Sequence, residues 1–221
     1  MMVDTQSNDQ LFPTLVVGSL PRDEWVLDVI KSRNSNDLSS EEADRLLDGA
    51  VLSAIKMQES AGLDYVSDGE WRRNSYLGTF FDNVYGYEPD LIPPNAFSSS
   101  PIPAIVSKIA PKRSLTIRDA RFLKANANAK TIATIPGPAT VGGKMWSPEH
   151  STSVYSSPEE AMEDCIQIIN VEIKQLAELG VDVVQIDEPW LGDVTNPRYR
   201  ELHGIKDINR ELDLYLDGIN G

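Results

Sequence analysis

The stretch SPEEAMEDCIQIINVEIKQLAELGVDVVQIDEPW, residues 157–190, decides the fold class. Ser157 offers an oxygen to the free N–H groups of a first helical turn. Pro158 loses nothing at the first helical position, and Glu160 completes a capping box. Met162, Cys165, Ile166, Ile169, Ile173, Leu176 and Ala177 then recur at helical spacing as one apolar stripe. Gly180 stops the helix. Val181-Asp182-Val183-Val184-Gln185-Ile186 follows at once, a short strand rich in β-branched residues. It runs out into Asp187-Glu188-Pro189-Trp190.

The same pattern stands earlier in the chain. Ser39 and Glu42 form a second capping box. Ala43, Leu46, Leu47, Ala50, Val51, Ala54, Ile55 and Gln58 follow at helical spacing, and Gly62 ends the helix before the strand Leu63–Ser67. Thr14–Val17 and Thr131–Ile135 read as two further strands, and Thr116–Ala127 and Asp207–Ile219 as two further helices. Strands alternating with helices imply a parallel sheet with right-handed crossovers. Residues 83–114 interrupt the alternation with Pro89, Pro93, Pro94, Pro101, Pro103 and Pro111, and read as an inserted excursion, a hairpin. Residues 1–11 are polar and acidic and read as a disordered tail without a signal peptide.

Composition narrows the function. Twenty Lys+Arg against 34 Asp+Glu in 221 residues give a net charge of −14, against a general nucleic-acid binder. No apolar run approaches the roughly 20 residues of a membrane span. A single cysteine, Cys165, excludes an internal disulfide and a Cys-rich zinc module. A cytoplasmic protein is expected.

In parallel α/β folds, ligands bind beyond the carboxyl ends of the strands. Those ends carry Gly18-Ser19-Leu20-Pro21-Arg22, Asp68-Gly69-Glu70-Trp71-Arg72-Arg73, Pro136-Gly137-Pro138-Ala139-Thr140 and Asp187-Glu188-Pro189-Trp190. On one rim, Glu70 and Asp187 would bind an ammonium group by charge-assisted hydrogen bonds. Gly18 and Ser19 would offer an N–H and a hydroxyl to a carboxylate. Together they complement an amino-acid zwitterion. A glycosidase carboxylate pair is the competing reading. It lacks a dense aromatic platform. Trp146 and Trp190 either stack on a planar ligand or pack on their own loops.

Phe12-Pro13-Thr14 with Gly18-Ser19-Leu20-Pro21, Asp68-Gly69-Glu70 with Arg73-Asn74, Gly137-Pro138-Ala139-Thr140, and Gln185-Ile186-Asp187-Glu188-Pro189, in this order, resemble the catalytic domain of cobalamin-independent methionine synthase. The resemblance runs from Phe12 to about Gly221. It implies a TIM-barrel (βα)8 fold, of which the first four βα units stand here as 12–221. It also implies zinc that activates the homocysteine thiol, and methyltetrahydrofolate as methyl donor. Val17, Gly18 and Ser19 match the segment that holds homocysteine. Glu70 and Asp187 match the acidic residues on the amino acid. Trp146 and Asp193 match the folate side.

The family's zinc ligands and proton-donor histidine lie on later strands, so no catalytic residue and no metal ligand is expected in this chain. Cys165 reads as a core residue, and His150 and His203 as surface residues. An Arg-Cys pair that contacts folate in the family is replaced near Ser99-Ser100. The expectation is a homocysteine S-methyltransferase of which this half is inactive alone. The alternatives are an epoxyalkane:coenzyme M transferase-like member, whose sulfonate thiol has no ammonium for Glu70 and Asp187, and a non-catalytic half-barrel that binds an amino acid or folate. A half-barrel with open sheet edges is expected to self-associate. Lys108, Lys112, Arg113, Arg118, Arg121, Lys124 and Lys130 form a basic segment, read either as a site for a folate polyglutamate tail or as a solvated helix face.

Overall fold

The computed structural model describes residues 12–92 and 101–197, with Arg200, Asn209, Leu212, Asp213 and Leu216 beyond them. The tail at 1–11, Ser99-Ser100, His203 and most of the helix expected at Asp207–Ile219 lie outside the described residues. The chain divides into two compact units, residues 1–72 with 123–132, and residues 73–122 with 133–221.

The first unit holds α1 (Glu24–Asn34), α2 (Ser40–Ser60) and β1 (Tyr65–Val66). The capping box at Ser39 forms: the Glu42 N–H donates to Ser39 Oγ at 3.2 Å, and the Ser39 N–H to Glu42 Oε2 at 3.3 Å. Ala43, Leu47, Ala50, Val51, Ala54 and Ile55 of α2 are buried, whereas Leu46, expected in the stripe, is 47% exposed. α1, absent from the sequence reading, packs on α2 and buries Val26, Val29 and Ile30. Thr14–Val17 is not a strand. Its ties converge on one residue instead of running along a ladder: the Asp64 and Tyr65 N–H groups donate to Thr14 O at 3.2 and 3.1 Å, and the Thr14 N–H to Asp64 Oδ2 at 2.6 Å. β1 pairs in parallel with the start of β4 (Lys130–Pro136), Tyr65 opposite Lys130 and Val66 opposite Thr131.

The second unit holds α3 (Gly78–Phe81), an antiparallel ladder of β2 (Val84–Ile92) and β3 (Ile102–Pro111), and the rest of β4. A π-helical turn (Ala139–Gly143), α5 (Pro158–Glu178), β5 (Val183–Asp187) and α6 (Pro189–Val194) follow. α4 (Ile117–Asn126) begins here. β1, β4 and β5 are the three strands of the expected alternation among the described residues, where four were expected. The arrangement is α/β.

Phe80, Ile105, Ile135, Tyr155, Cys165 and Ile169 lie in the main core cluster of this unit. At the start of α5 the Glu160 N–H donates to Ser157 Oγ at 3.4 Å, but the Glu160 carboxylate accepts from the Ser156 N–H and hydroxyl, each at 2.8 Å. The box therefore closes one residue earlier than expected. Cys165, Ile166, Ile169 and Leu176 are buried as the stripe requires; Ala177 is exposed, and Glu172 is buried. The reason is a cap in trans. The Glu172 carboxylate accepts from the Leu115 N–H (3.0 Å), the Thr116 N–H (2.6 Å) and the Thr116 hydroxyl (2.9 Å), just ahead of α4. No helix among the described residues is long and apolar enough to cross a membrane.

Candidate functional site

Val17, Gly18, Ser19 and Glu70 belong to the first unit. Their placement begins at the end of α2. Gln58 is buried, donates to Ser67 O at 2.8 Å and accepts from the Ser67 N–H at 3.0 Å, which fixes the exit of β1. The next residues turn sharply: Gly69 has φ +67° and Glu70 φ +59°. A left-handed glutamate costs roughly 1–2 kcal/mol, and its neighbours enforce it. The Glu70 N–H donates to Asp68 Oδ1 at 3.0 Å, and Arg22 Nη2 donates to Glu70 O at 2.8 Å. The Leu20 N–H donates to Gly69 O at 3.2 Å, and Trp71 Nε1 to Leu20 O at 3.2 Å.

So held, the Glu70 carboxylate accepts the Ser19 hydroxyl at 2.5 Å. Glu70 is 4% exposed, while Ser19 is exposed and Val17 is 72% exposed. A carboxylate thus sits beneath an open hydroxyl, beside a Gly18 whose φ of +78° favours glycine.

Asp187 and Trp146 belong to the second unit. At the end of β5, Gln185 Nε2 donates to Asp187 Oδ1 at 2.6 Å. The Asp187 carbonyl accepts from the Gly137 N–H at 2.8 Å and from the Tyr76 hydroxyl. The adjacent Glu188 turns to the chain: its Oε2 accepts the Ala139 N–H at 2.8 Å and its Oε1 the Thr140 hydroxyl. Burial lifts its carboxyl from the ordinary 4.5 to about 7, against the pull of those donors. Gly137 leaves room for this arrangement, because a Cβ on it would overlap the Glu188 carboxyl.

Trp146 is half-buried against the core and donates its indole N–H to Tyr155 O at 3.1 Å; Trp190 is buried. Asp193 lies in α6, and its side chain is outside the described residues. Arg22, Asp68 and Glu188 stand in the strand-end motifs of the sequence but received no role there, and Tyr76 carried no sequence signal.

The basic segment is dispersed over several partners. Lys108 pairs with Asp164 at 2.6 Å, Lys112 lies over the Tyr85 ring, Lys130 over the Tyr65 ring, and Arg113 bonds Asn83.

The zinc implied by the resemblance does not fit the described residues. Cys165 is sealed in the core 3.4 Å from the Tyr87 hydroxyl, with burial pushing its thiol up to about 12. Among the described residues no cluster of three His, Cys, Asp or Glu side chains is placed to hold a metal ion.

Residues 12–204 match the family model described as cobalamin-independent synthase, catalytic domain. The chain is 31% identical over 214 residues to a methionine synthase of Saccharolobus solfataricus, covering 93% of this chain and 62% of that protein. A methionine synthase of Sulfurisphaera tokodaii is 30% identical over 183 residues, 81% of this chain and 52% of its own length. The chain thus spans between about half and two thirds of these relatives' length. Among solved structures, a B12-independent methionine synthase from Shewanella sp. W3-18-1 in complex with selenomethionine superposes with a TM-score of 0.61 at 28% identity, over 70% of this chain and 45% of that one. A putative vitamin-B12 independent methionine synthase from Listeria monocytogenes shares the fold with a TM-score of 0.65 at 21% identity, over 92% and 58%.

Proposed function

The chain belongs to the cobalamin-independent synthase catalytic-domain family, and from that premise we propose that it supplies the amino-acid-binding part of a homocysteine S-methyltransferase with methyltetrahydrofolate as donor. The observation that carries the reading is the Ser19–Glu70 pair, a buried carboxylate under an exposed hydroxyl on an enforced left-handed turn. In the first unit Glu70 is assigned as an acceptor for an ammonium group, and in the second unit Asp187 is, through the oxygen that Gln185 leaves to it. Gly18 and Ser19 take the ligand's carboxylate. Val17 lies against its side chain. With both charged ends held, the sulfur-bearing chain has one direction in which to point, which is the positioning that methyl transfer needs.

The neighbour complexed with selenomethionine supports an amino-acid ligand, since that molecule is the selenium analogue of the methylated product. Trp146 and Asp193 are assigned to the folate side, and zinc to residues other than those described. A cytoplasmic location and self-association go with the reading.

Isothermal titration tests it. L-Methionine is expected to bind the chain, and Glu70→Gln to weaken binding by about tenfold, the loss of one charge-assisted hydrogen bond. Binding of coenzyme M in place of methionine would overturn the amino-acid reading.

A further inference from the structure

The amino-acid reading uses Asp187 and leaves its neighbour Glu188 without a role. Glu188 is not solvated at the strand end. Both its oxygens are spent on the turn after β4, one on the Ala139 N–H and one on the Thr140 hydroxyl. The same turn reaches Asp187 directly, through the Gly137 N–H on the Asp187 carbonyl at 2.8 Å. Gly137 lacks the Cβ that would expel the Glu188 carboxyl. Three residues of the turn, Gly137, Ala139 and Thr140, are thus bonded to the two successive residues Asp187 and Glu188 at the end of β5.

We propose that Glu188 is a positioning residue: its carboxyl group clasps the Gly137–Thr140 turn to the end of β5 and so fixes where Asp187 presents its own carboxylate. The inference rests on Asp187 being an acceptor for the ligand's ammonium. Gln185 sets the Asp187 side chain and the turn sets its backbone, so losing the clasp frees the second while the first remains.

The groups around Glu188 leave it to act through hydrogen bonds. Asp187 stands beside it on β5. From α5, the Cys165 thiol is pushed up to about 12, chiefly by burial, with smaller pushes from the Asp164 and Glu188 carboxylates. From β2, the Tyr87 hydroxyl bonds that thiol and Val141 O, and burial pushes its pKa well above the ordinary value. Asp164 is paired with Lys108. Thiol and phenol are therefore neutral near pH 7. Glu188 itself changes charge there, because burial brings its carboxyl to about 7.

The test is amide hydrogen exchange at Ala139 in the 15N-labelled chain, alongside titration with L-methionine. Glu188→Ala is expected to speed exchange at Ala139 and weaken methionine by about tenfold each, the worth of one good hydrogen bond. Glu188→Gln, which still offers an oxygen to Ala139 and an amide to Thr140, is expected to restore both. It should also abolish the change in Ala139 protection that the wild type shows around pH 7. Gly137→Ala should mimic Glu188→Ala, and in that background add little.

Unchanged Ala139 exchange in a folded Glu188→Ala chain, or additive effects of the two substitutions, would overturn the clasp. Altered exchange with unaltered methionine affinity would overturn its hold on Asp187. If the wild type fails to bind methionine, the amino-acid reading fails, and with it the role assigned to Asp187; the exchange data still judge the clasp. Should Glu188→Ala not fold, Gly137→Ala and Glu188→Gln carry the same comparison.

Discussion

Glu70 sits in a backbone conformation that a glutamate resists, and replacing it separates strain from binding. At φ +59° any residue with a Cβ pays roughly 1–2 kcal/mol relative to glycine. Glu70→Ala keeps that cost and loses the bond from Ser19. Glu70→Gly loses the same bond and the strain together, and returns part of the gain because a glycine loosens the unfolded chain by roughly 0.5–1 kcal/mol. The Ser19 bond is nearly the same loss in both, since Ser19 is exposed and water takes up its hydroxyl; that loss is about 1 kcal/mol. Glycine should therefore come out more stable than alanine by about 1 kcal/mol and lie close to wild type.

Urea unfolding followed by circular dichroism reads this directly. With a slope of about 2 kcal/mol per molar, the two midpoints should differ by about 0.5 M. Methionine titration on the same proteins should show both variants weakened alike, because both lack the carboxylate. A Gly variant no more stable than the Ala variant would refute the strain. A Gly variant that binds as well as wild type would refute the use to which the strain is put.

Two further outcomes follow from buried carboxylates. Glu172→Ala strips the acceptor from two backbone N–H groups and a hydroxyl at the start of α4, and should cost about 3–5 kcal/mol in urea unfolding; a loss under about 1 kcal/mol would mean the cap is dispensable. Glu188 has a folded-state pKa of about 7 against an ordinary 4.5, so its contribution is fully present below about pH 4.5 and is lost as pH rises through 7. Relative to Glu188→Gln, the wild type should lose about 2–3 kcal/mol between pH 4.5 and 8. The carboxylates Glu42, Glu59, Asp64 and Glu160, which hydrogen bonds hold below their ordinary values, slope the other way and cancel in that comparison. A difference that does not change with pH would contradict the assignment.

The readable parts of the fold were those decided within a few residues. The capping box at Ser39 and the stops at Gly62 and Gly180 are local chemistry, and they held. The box on α5 slipped by one because Ser156 and Ser157 both offer a hydroxyl, and Glu160 has reach to either. Thr14–Val17 has strand composition but spends its hydrogen bonds at Thr14 on Asp64 and Tyr65, a side-chain partner that composition does not announce. On α5 the stripe was drawn through Ala177, while burial took Glu172, because α4 needed a distant acceptor for its first N–H groups. The matched family gives the site's motifs a common origin. It does not say that Glu70 is left-handed, since Asp-Gly-Glu marks only the glycine for that conformation.

The pair Asp187-Glu188 shows what decides the remainder. Two adjacent carboxylates at a strand end have the same chemistry and the same distance from the rim. β5 ends at Asp187, so strand alternation does not decide which of them meets a ligand; their partners do. The choice is made from outside the pair, by the turn after β4, which brings the Ala139 N–H and the Thr140 hydroxyl to Glu188 and leaves Gly137 without a side chain to make room. The Glu188 carboxylate is consumed by the chain. The other is held by a single amide, Gln185, and keeps an oxygen to offer. Which acid faces the ligand is thus written in the loop after another strand, about 50 residues away in sequence, and becomes legible only when the two are set side by side.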